Sequence, residues 1–371
     1  IKWTRPELGI FKVSGTEKNN VILADAAPVT HNFSPFLDTR KGTDPFYKYK
    51  ALGGLGRTGL MAYVSEDGIH WNALQEDPVI TGKNSDFDSQ NIAFWSEEEQ
   101  LYLCYYRTWV SDNEKRYRSV ARTTSKDFIH WTEPQLMECS PGPLEQLYTN
   151  QTSPYFRAPH IYIAVAARFM PSRQVVSEEE ARELQVNPKY YKDCSDAVLM
   201  TSRGGNSYDR TFMESFIRPG IGLRNWVSRS NYPALNVVQT GPAEMSLYVN
   251  QDYAQPTAHL HRYTMRIDGF TSLHAGYEGG EMITKPFRFT GDTLWLNFST
   301  SAAGYIRVEV LDLQGKRLDG FELENSREMI GNEIEKAVSW QGNPNLMNIM
   351  DQAVRLRFVM KDADLYSLRF N

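Results

Sequence analysis

Thr124-Ser125-Lys126-Asp127-Phe128-Ile129-His130-Trp131-Thr132-Glu133-Pro134-Gln135-Leu136 returns in pieces elsewhere in the chain. Its first half, Ser125, Asp127 and Trp131, matches Ser65, Asp67 and Trp71 upstream. Its second half, Trp131-Thr132-x-Pro134-x-Leu136, matches Trp3-Thr4-x-Pro6-x-Leu8. A blurred copy stands at Ser202, Gly204 and Tyr208, and a remnant at Arg266-Ile267-Asp268-Gly269-Phe270. Spacings of roughly 60 to 80 residues mark repeated supersecondary units. Each copy follows a short alternating run: Leu60 to Val64, Ser119 to Thr123, and Ala197 to Thr201. Apolar alternation ending in a Ser/Asp/Gly turn reads as a strand entering a hairpin. Four-stranded units at this spacing are the blades of a β-propeller. The repeat positions also predict that Trp71 and Trp131 are largely buried between blades.

Composition agrees with one large all-β domain and a smaller one: 371 residues, 41% hydrophobic and 12% aromatic. A net charge of -5, with Arg and Lys scattered, gives no reason to expect nucleic acid as a partner. No apolar run approaches the ~20 residues of a membrane helix. Cys104, Cys139 and Cys194 are an odd number without metal-ligand spacing; Cys104 reads as a buried thiol.

Taken in order, the blades have inner strands at His31 to Phe36, Ser89 to Trp95, Asn150 to Phe156 and Arg229 to Ala234. Next strands are expected near Tyr47 to Leu52, Gln100 to Arg107, His160 to Phe169 and Glu244 to Asn250. Trp3 sits at a blade end with only Ile1 and Lys2 before it, and there is no initiator Met or signal peptide. This implies a blade upstream in the parent protein, absent here or processed away. Ser177 to Leu184 reads as a short helix, with an N-cap Ser and acids in its first turn, inserted in the third blade. After Gly276 the blade signals stop. Lys285 to Phe289, Thr293 to Phe298, Tyr305 to Leu313 and Val354 to Met360 alternate as strands, and Asp312 to Lys316 reads as a hairpin turn. Glu333 to Val338 fits a strand or a short helix. The expected organisation is a propeller over residues 1–276, its first blade incomplete, and a β-sandwich over 277–371.

Aligning the inner strands on Pro35, Ala93, Pro154 and Pro233 brings His31, Ser89, Asn150 and Arg229 into register, then Asn32, Gln90, Gln151 and Ser230. Inner strands line the central channel of a propeller. Their upstream ends, with Asn91 and Asn231, would present amides, one His and one Arg to a polyhydroxylated ligand. The bland reading is that these groups satisfy one another around a wet channel. Arg107 and Arg168 close matching second strands, where an Arg fork can grip a ligand or form an outward salt bridge.

The candidate catalytic carboxylates are Asp88, Glu145 and Asp86, each on a loop leading into an inner strand. Glycoside hydrolysis uses two such acids, one protonated and one ionised. Placement on loops predicts that neutralising Asp88 or Glu145 leaves the fold intact. His31 has no nucleophile motif beside it, and no His or Cys pair has zinc spacing, so no triad, metal or cofactor is expected.

The Ser-Glu-Asp-Gly-Ile-His-Trp turn at residues 65–71 and the Ser-Lys-Asp-Phe-Ile-His-Trp turn at 125–131 resemble those of five-bladed propeller glycoside hydrolases, the families 43, 32 and 130 grouping. They are also similar to the Asp-box of sialidases, one residue shorter. The chain, including residues 148–151 and 155–163, resembles bacterial proteins described as glycosyl-hydrolase-like. An upstream blade added to these four makes five, and a sandwich behind a propeller resembles the family 32 arrangement. The family 32 Asn-Asp-Pro and Arg-Asp-Pro motifs are absent, and the family 43 pattern places a base in its first blade. The resemblance implies action on an oligosaccharide or glycoside, by hydrolysis or as a non-catalytic sugar-binding propeller. The expected compartment is secreted or periplasmic.

Overall fold

Ser125 and Asp127 build the same turn as Ser65 and Asp67 in the computed structural model, which describes residues 4–82, 86–140, 142–342, 344–350 and 352–371. Ser65 Oγ accepts from Gly68 N at 2.8 Å, and Ser125 Oγ from Phe128 N at 2.9 Å. Asp67 Oδ1 accepts from Ile69 N and His70 N; Asp127 Oδ1 accepts from Ile129 N and His130 N. The second oxygen of each Asp meets the next His Nδ1 at 2.7 Å. Trp71 Nε1 donates to Gly68 O and Trp131 Nε1 to Phe128 O, closing each loop. The repeat is therefore a spacing requirement: short polar side chains must lie within reach of the following amides. At the centre the backbone is left-handed, with φ of 77° at Gly68 and 70° at Phe128. Glycine accepts that conformation freely. Phe128 is held there by full burial against Phe36, Tyr102 and Trp131.

Phe128, not Trp131, is thus the buried aromatic of the repeat. Trp71 and Trp131 are half-buried, which corrects the expectation, because each indole is drawn to the rim of its own turn by its N–H. In the blurred copy, Ser202 Oγ still accepts from Gly204 N, and Tyr208 is buried. Asp268, in the remnant, accepts from Asn297 and Ser367. Trp3 lies outside the described residues.

The first two sheets are antiparallel meanders in chain order. One runs Ser34–Leu37, Tyr49–Gly54, Leu60–Ser65, Asn72–Ala73; the other Ile92–Ser96, Leu101–Asp112, Lys115–Ser125, Gln135–Leu136. The third adds flanking strands to Thr152–Tyr155, Ala158–Met170, Cys194–Ser202 and Ser207–Asp209. Pro35, Ala93, Pro154 and Pro233 all pair with the following long strand, opposite Ala51, Cys104, Tyr162 and Val249. The inner strands begin later than their sequence suggests. Asn32, Gln151, Arg229 and Asn231 have left-handed φ of 62°, 55°, 63° and 66°, far from the extended region of regular strand pairing, and pairing starts after them. The helix Glu178–Glu183 forms as expected, with Ser177 and Glu180 making a reciprocal capping box.

Two compact units divide the chain: residues 1–237 with 247–263, and residues 238–246 with 264–371. In the second, Leu294–Leu311 and Arg355–Phe370 form a long antiparallel pair, joined by Leu273–Ala275, Gly280–Ile283 and Asn332–Ala337. The two strands expected at Thr293 and Tyr305 are one, with a register shift between Thr300 and Tyr305. Lys285 to Phe289 is not a strand; only Phe287 makes a bridge, to Val354. Pro286 lacks the N–H that a ladder there requires. Asn332–Ala337 resolves the strand-or-helix alternative as a strand. Asp312 Oδ1 accepts from Gln314 N and Lys316 N, fixing the expected turn. The unit's core includes Phe298, Val308, Trp340 and Phe358. In the first unit, Cys104 is buried with Tyr102 and Phe128.

Candidate functional site

The hairpin of Leu101–Asp112 and Lys115–Ser125 sets out a face rich in guanidinium and aromatic groups. Alternation puts Arg107 and Trp109 on one side of their strand, and Arg116 and Arg118 on one side of theirs. Trp109 pairs directly with Arg118 across the ladder. The Arg118 guanidinium lies 4.7 Å, and that of Arg116 4.5 Å, from the Trp109 ring centre. Cross-strand neighbours of this kind interact whenever their side chains are long enough.

Tyr148, on Leu147–Thr149, is the hub. Arg107, Arg118 and Arg229 stand 5.0, 5.1 and 5.5 Å from its ring centre. Tyr232 packs on it at 5.2 Å and Phe169 at 6.0 Å. Arg229 continues the cluster, over Tyr190 at 5.1 Å and donating to the Tyr253 hydroxyl at 3.3 Å. Each cation–ring contact contributes about 0.5–2 kcal/mol, rising with desolvation. Trp109, Tyr148, Tyr190, Tyr232 and Tyr253 are all half-buried, so the rings are partly open to solvent.

The charges are unevenly paired. Arg107 is buried and donates to Asp88; its Nη2 is 3.7 Å from Asp86 Oδ2. Trp109 Nε1 donates to that same Asp86 oxygen at 2.8 Å. Among the described residues, Arg118 and Arg229 form no ion pair: Arg118 donates to Gln146 and Arg229 to Tyr253. Burial, then the nearby charge of Arg107, lowers the Arg118 pKa. Burial opposes the charge of Arg229 too, but the Tyr253 hydroxyl and the surrounding phenols outweigh it, leaving its pKa raised.

Glu145 belongs to a different network. Its Oε1 accepts from Arg168 Nη1 at 2.7 Å, and its Oε2 from Arg210 Nη2 at 2.6 Å. Arg168 turns its other nitrogens to Asp196, at 2.8 and 2.6 Å. Two arginines and two carboxylates balance. The expectation that Glu145 can be neutralised without harm to the fold is corrected here, since Arg210 is 1% exposed and depends on it.

The inner-strand amides are tied largely to backbone. Asn32 and Asn91 both donate to Phe87 O, at 2.9 and 3.1 Å. Asn150 accepts from Thr152 N, Gln151 donates to Pro233 O at 2.7 Å, and Asn231 donates to Ser195 O and Asn225 O. His31 is exposed and Gln90 half-buried. The structure thus gathers Asp86, Asp88, Arg107 and Arg229 around Tyr148, and gathers Glu145 with Arg168.

Sequence reasoning missed Trp109, Arg118, Tyr148, Tyr190, Tyr232 and Tyr253. The expected strand stopped at Arg107, whereas it runs to Asp112. The missed signal was the turn at Asn113 and Glu114, with φ of 45° and 66°, a pattern that Asn favours in two-residue hairpins. Among the described residues no group of three or more His, Cys, Asp or Glu side chains suits a metal, and no helix is long and apolar enough to cross a membrane.

No protein-family model matches the chain, and no curated protein matches it. Solved structures do match. An N-acetylgalactosamine deacetylase from F. plautii, in complex with blood group B trisaccharide, matches at 11% identity and TM-score 0.43, over 61% of this chain and 71% of that one. An endo-arabinase from Bacteroides thetaiotaomicron matches at 12% and 0.39, over 68% and 84%. A Bombyx mori GH32 beta-fructofuranosidase matches at 9% and 0.39, over 92% and 90%. At such scores the chemistry has to be read from the residues of the site.

Proposed function

We propose that this chain is a glycoside-hydrolase-like protein that binds a carbohydrate on the face formed by Trp109, Tyr148 and their arginines. The observation that carries this reading is the convergence of Arg107, Arg118 and Arg229 on the half-buried ring of Tyr148. A sugar offers an apolar C–H face to an aromatic ring and a rim of hydroxyls to guanidinium forks. The architecture proposed is a five-bladed-type propeller over residues 1–276 and a C-terminal sandwich over 277–371, acting outside the cytoplasm, where polysaccharides are met. In this proposal His31, Asn32 and Gln90 frame the mouth, the buried Asn91, Asn150, Gln151 and Asn231 hold the backbone of the loops around it, and Arg168 belongs to the Glu145 network.

Hydrolysis is the second reading, favoured by the exposure of Asp86 and Asp88 beside the platform: their side chains are 56% and 37% exposed. In it Asp88 and Asp86 are the candidate acids beside the platform, while Glu145, the other acid expected from the sequence, has both oxygens engaged by Arg168 and Arg210. A glycan array on the whole chain tests the first reading, and release of aryl aglycones from a glycoside panel tests the second. Binding without release selects the non-catalytic propeller. Failure to bind any glycan rejects both.

A further inference from the structure

We infer that the carbohydrate is anionic, its carboxylate or sulfate group seated between Arg118 and Arg229 above Tyr148; this rests on the carbohydrate reading of the same site. Three observations carry the inference.

The first is the charge count. Arg107, Arg116, Arg118 and Arg229 crowd around Trp109 and Tyr148, while Asp86 and Asp88 are the carboxylates in contact with them. Both carboxylates engage Arg107. The second is the isolation of the other two buried or half-buried cations. Arg118 and Arg229 contact rings, an amide and a hydroxyl, with no ion pair among the described residues. Partly buried guanidiniums are ordinarily paired, since their desolvation is otherwise uncompensated. The neighbouring network shows that pairing within this same fold, where Arg168 and Arg210 share Glu145 and Asp196. The third is geometry. Arg118 and Arg229 both approach the Tyr148 ring within 5.5 Å of its centre, so two forks meet at one half-buried ring. A neutral sugar would offer neither of them a counter-charge. An oxyanion on the sugar answers them with charge-assisted hydrogen bonds, and guanidinium forks match both carboxylate and sulfate.

The test is isothermal titration of the whole chain with three sets of oligosaccharides: galacturonate- and glucuronate-containing ones, their carboxyl-reduced neutral counterparts, and sulfated ones. The expected result is that a charged set binds roughly 10- to 100-fold more tightly than its neutral counterpart, the range for a charge-assisted hydrogen bond. That preference should shrink in 0.5 M salt and disappear in Arg229→Gln and Arg118→Gln, each checked for an unchanged unfolding midpoint. If either variant unfolds, the salt dependence of the unaltered chain and the charged-to-neutral ratio still decide. Uronate preference over sulfate identifies a carboxylate as the occupant, and the reverse identifies sulfate. Equal affinity for charged and neutral sets overturns the inference and leaves the carbohydrate reading standing. No binding of any saccharide overturns both.

Discussion

Arg210, the largest of the fully buried side chains, donates to Glu145 Oε2 at 2.6 Å. Its remaining bonds go to the carbonyls of Leu199 and Phe212, so Glu145 is its counter-ion. Removing one partner of a buried pair leaves an uncompensated charge, at a cost of about 3–5 kcal/mol. Glu145→Gln should therefore lower stability by about that amount. Urea unfolding measures it; an unchanged midpoint would show that the Arg168–Arg210 network does not depend on this carboxylate.

Asp88 is 37% exposed, but it accepts from the buried Arg107, whose other nearby carboxylate, Asp86, lies 3.7 Å away. Asp88→Asn should therefore lower the unfolding midpoint, by less than Glu145→Gln because Asp86 remains beside Arg107. If the chain hydrolyses glycosides, that substitution should lower the rate by about 10² to 10⁴, the usual span for an acid–base group. Full activity in Asp88→Asn would remove Asp88 from the chemistry.

Phe128 carries the packing that the repeat seemed to assign to Trp131. Phe128 is fully buried, with ring centres of Phe36, Tyr102 and Trp131 within 5.6 Å. Phe128→Ala should cost about 3–5 kcal/mol, the range for emptying such a site. Trp131→Ala should cost less, since part of the indole is already in water. Calorimetry on the two variants decides; the reverse order would return the central packing role to the tryptophan.

The strands and turns were legible because local chemistry sets them. Ser65, Asp67, Ser125 and Asp127 bond amides two or three residues on, a range that sequence spacing displays directly. The capped helix at Ser177 is legible for the same reason. The Tyr148 cluster was not, because Arg107, Arg118 and Arg229 come from three separated segments whose meeting depends on the tertiary fold. The aligned amides did not display their own partners: Asn91, Gln151 and Asn231 bind backbone carbonyls that left-handed turns bring within reach.

Asp127 gives a pH signature. Burial raises its pKa, but hydrogen bonds from the His130 side chain and backbone outweigh this and lower it well below the ordinary carboxylate range. A lowered folded-state pKa contributes stability that is present above the unfolded value, about 3.9, and is lost as pH falls through the folded value. The midpoint gap between the unaltered chain and Asp127→Asn should be full at pH 7 and shrink below about pH 4. Thermal melts at pH 7 and pH 2.5 measure it, and a gap independent of pH would contradict the assignment.

The central claim is that Tyr148 is the floor of a carbohydrate site. Its most direct test is a glycan array comparing the whole chain with Tyr148→Ala, with circular dichroism confirming that the variant is folded. The account predicts specific glycan binding by the unaltered chain and its loss in Tyr148→Ala, since three guanidiniums lose their shared platform. Glycan binding that survives in the folded Tyr148→Ala variant would place the site elsewhere and contradict the account.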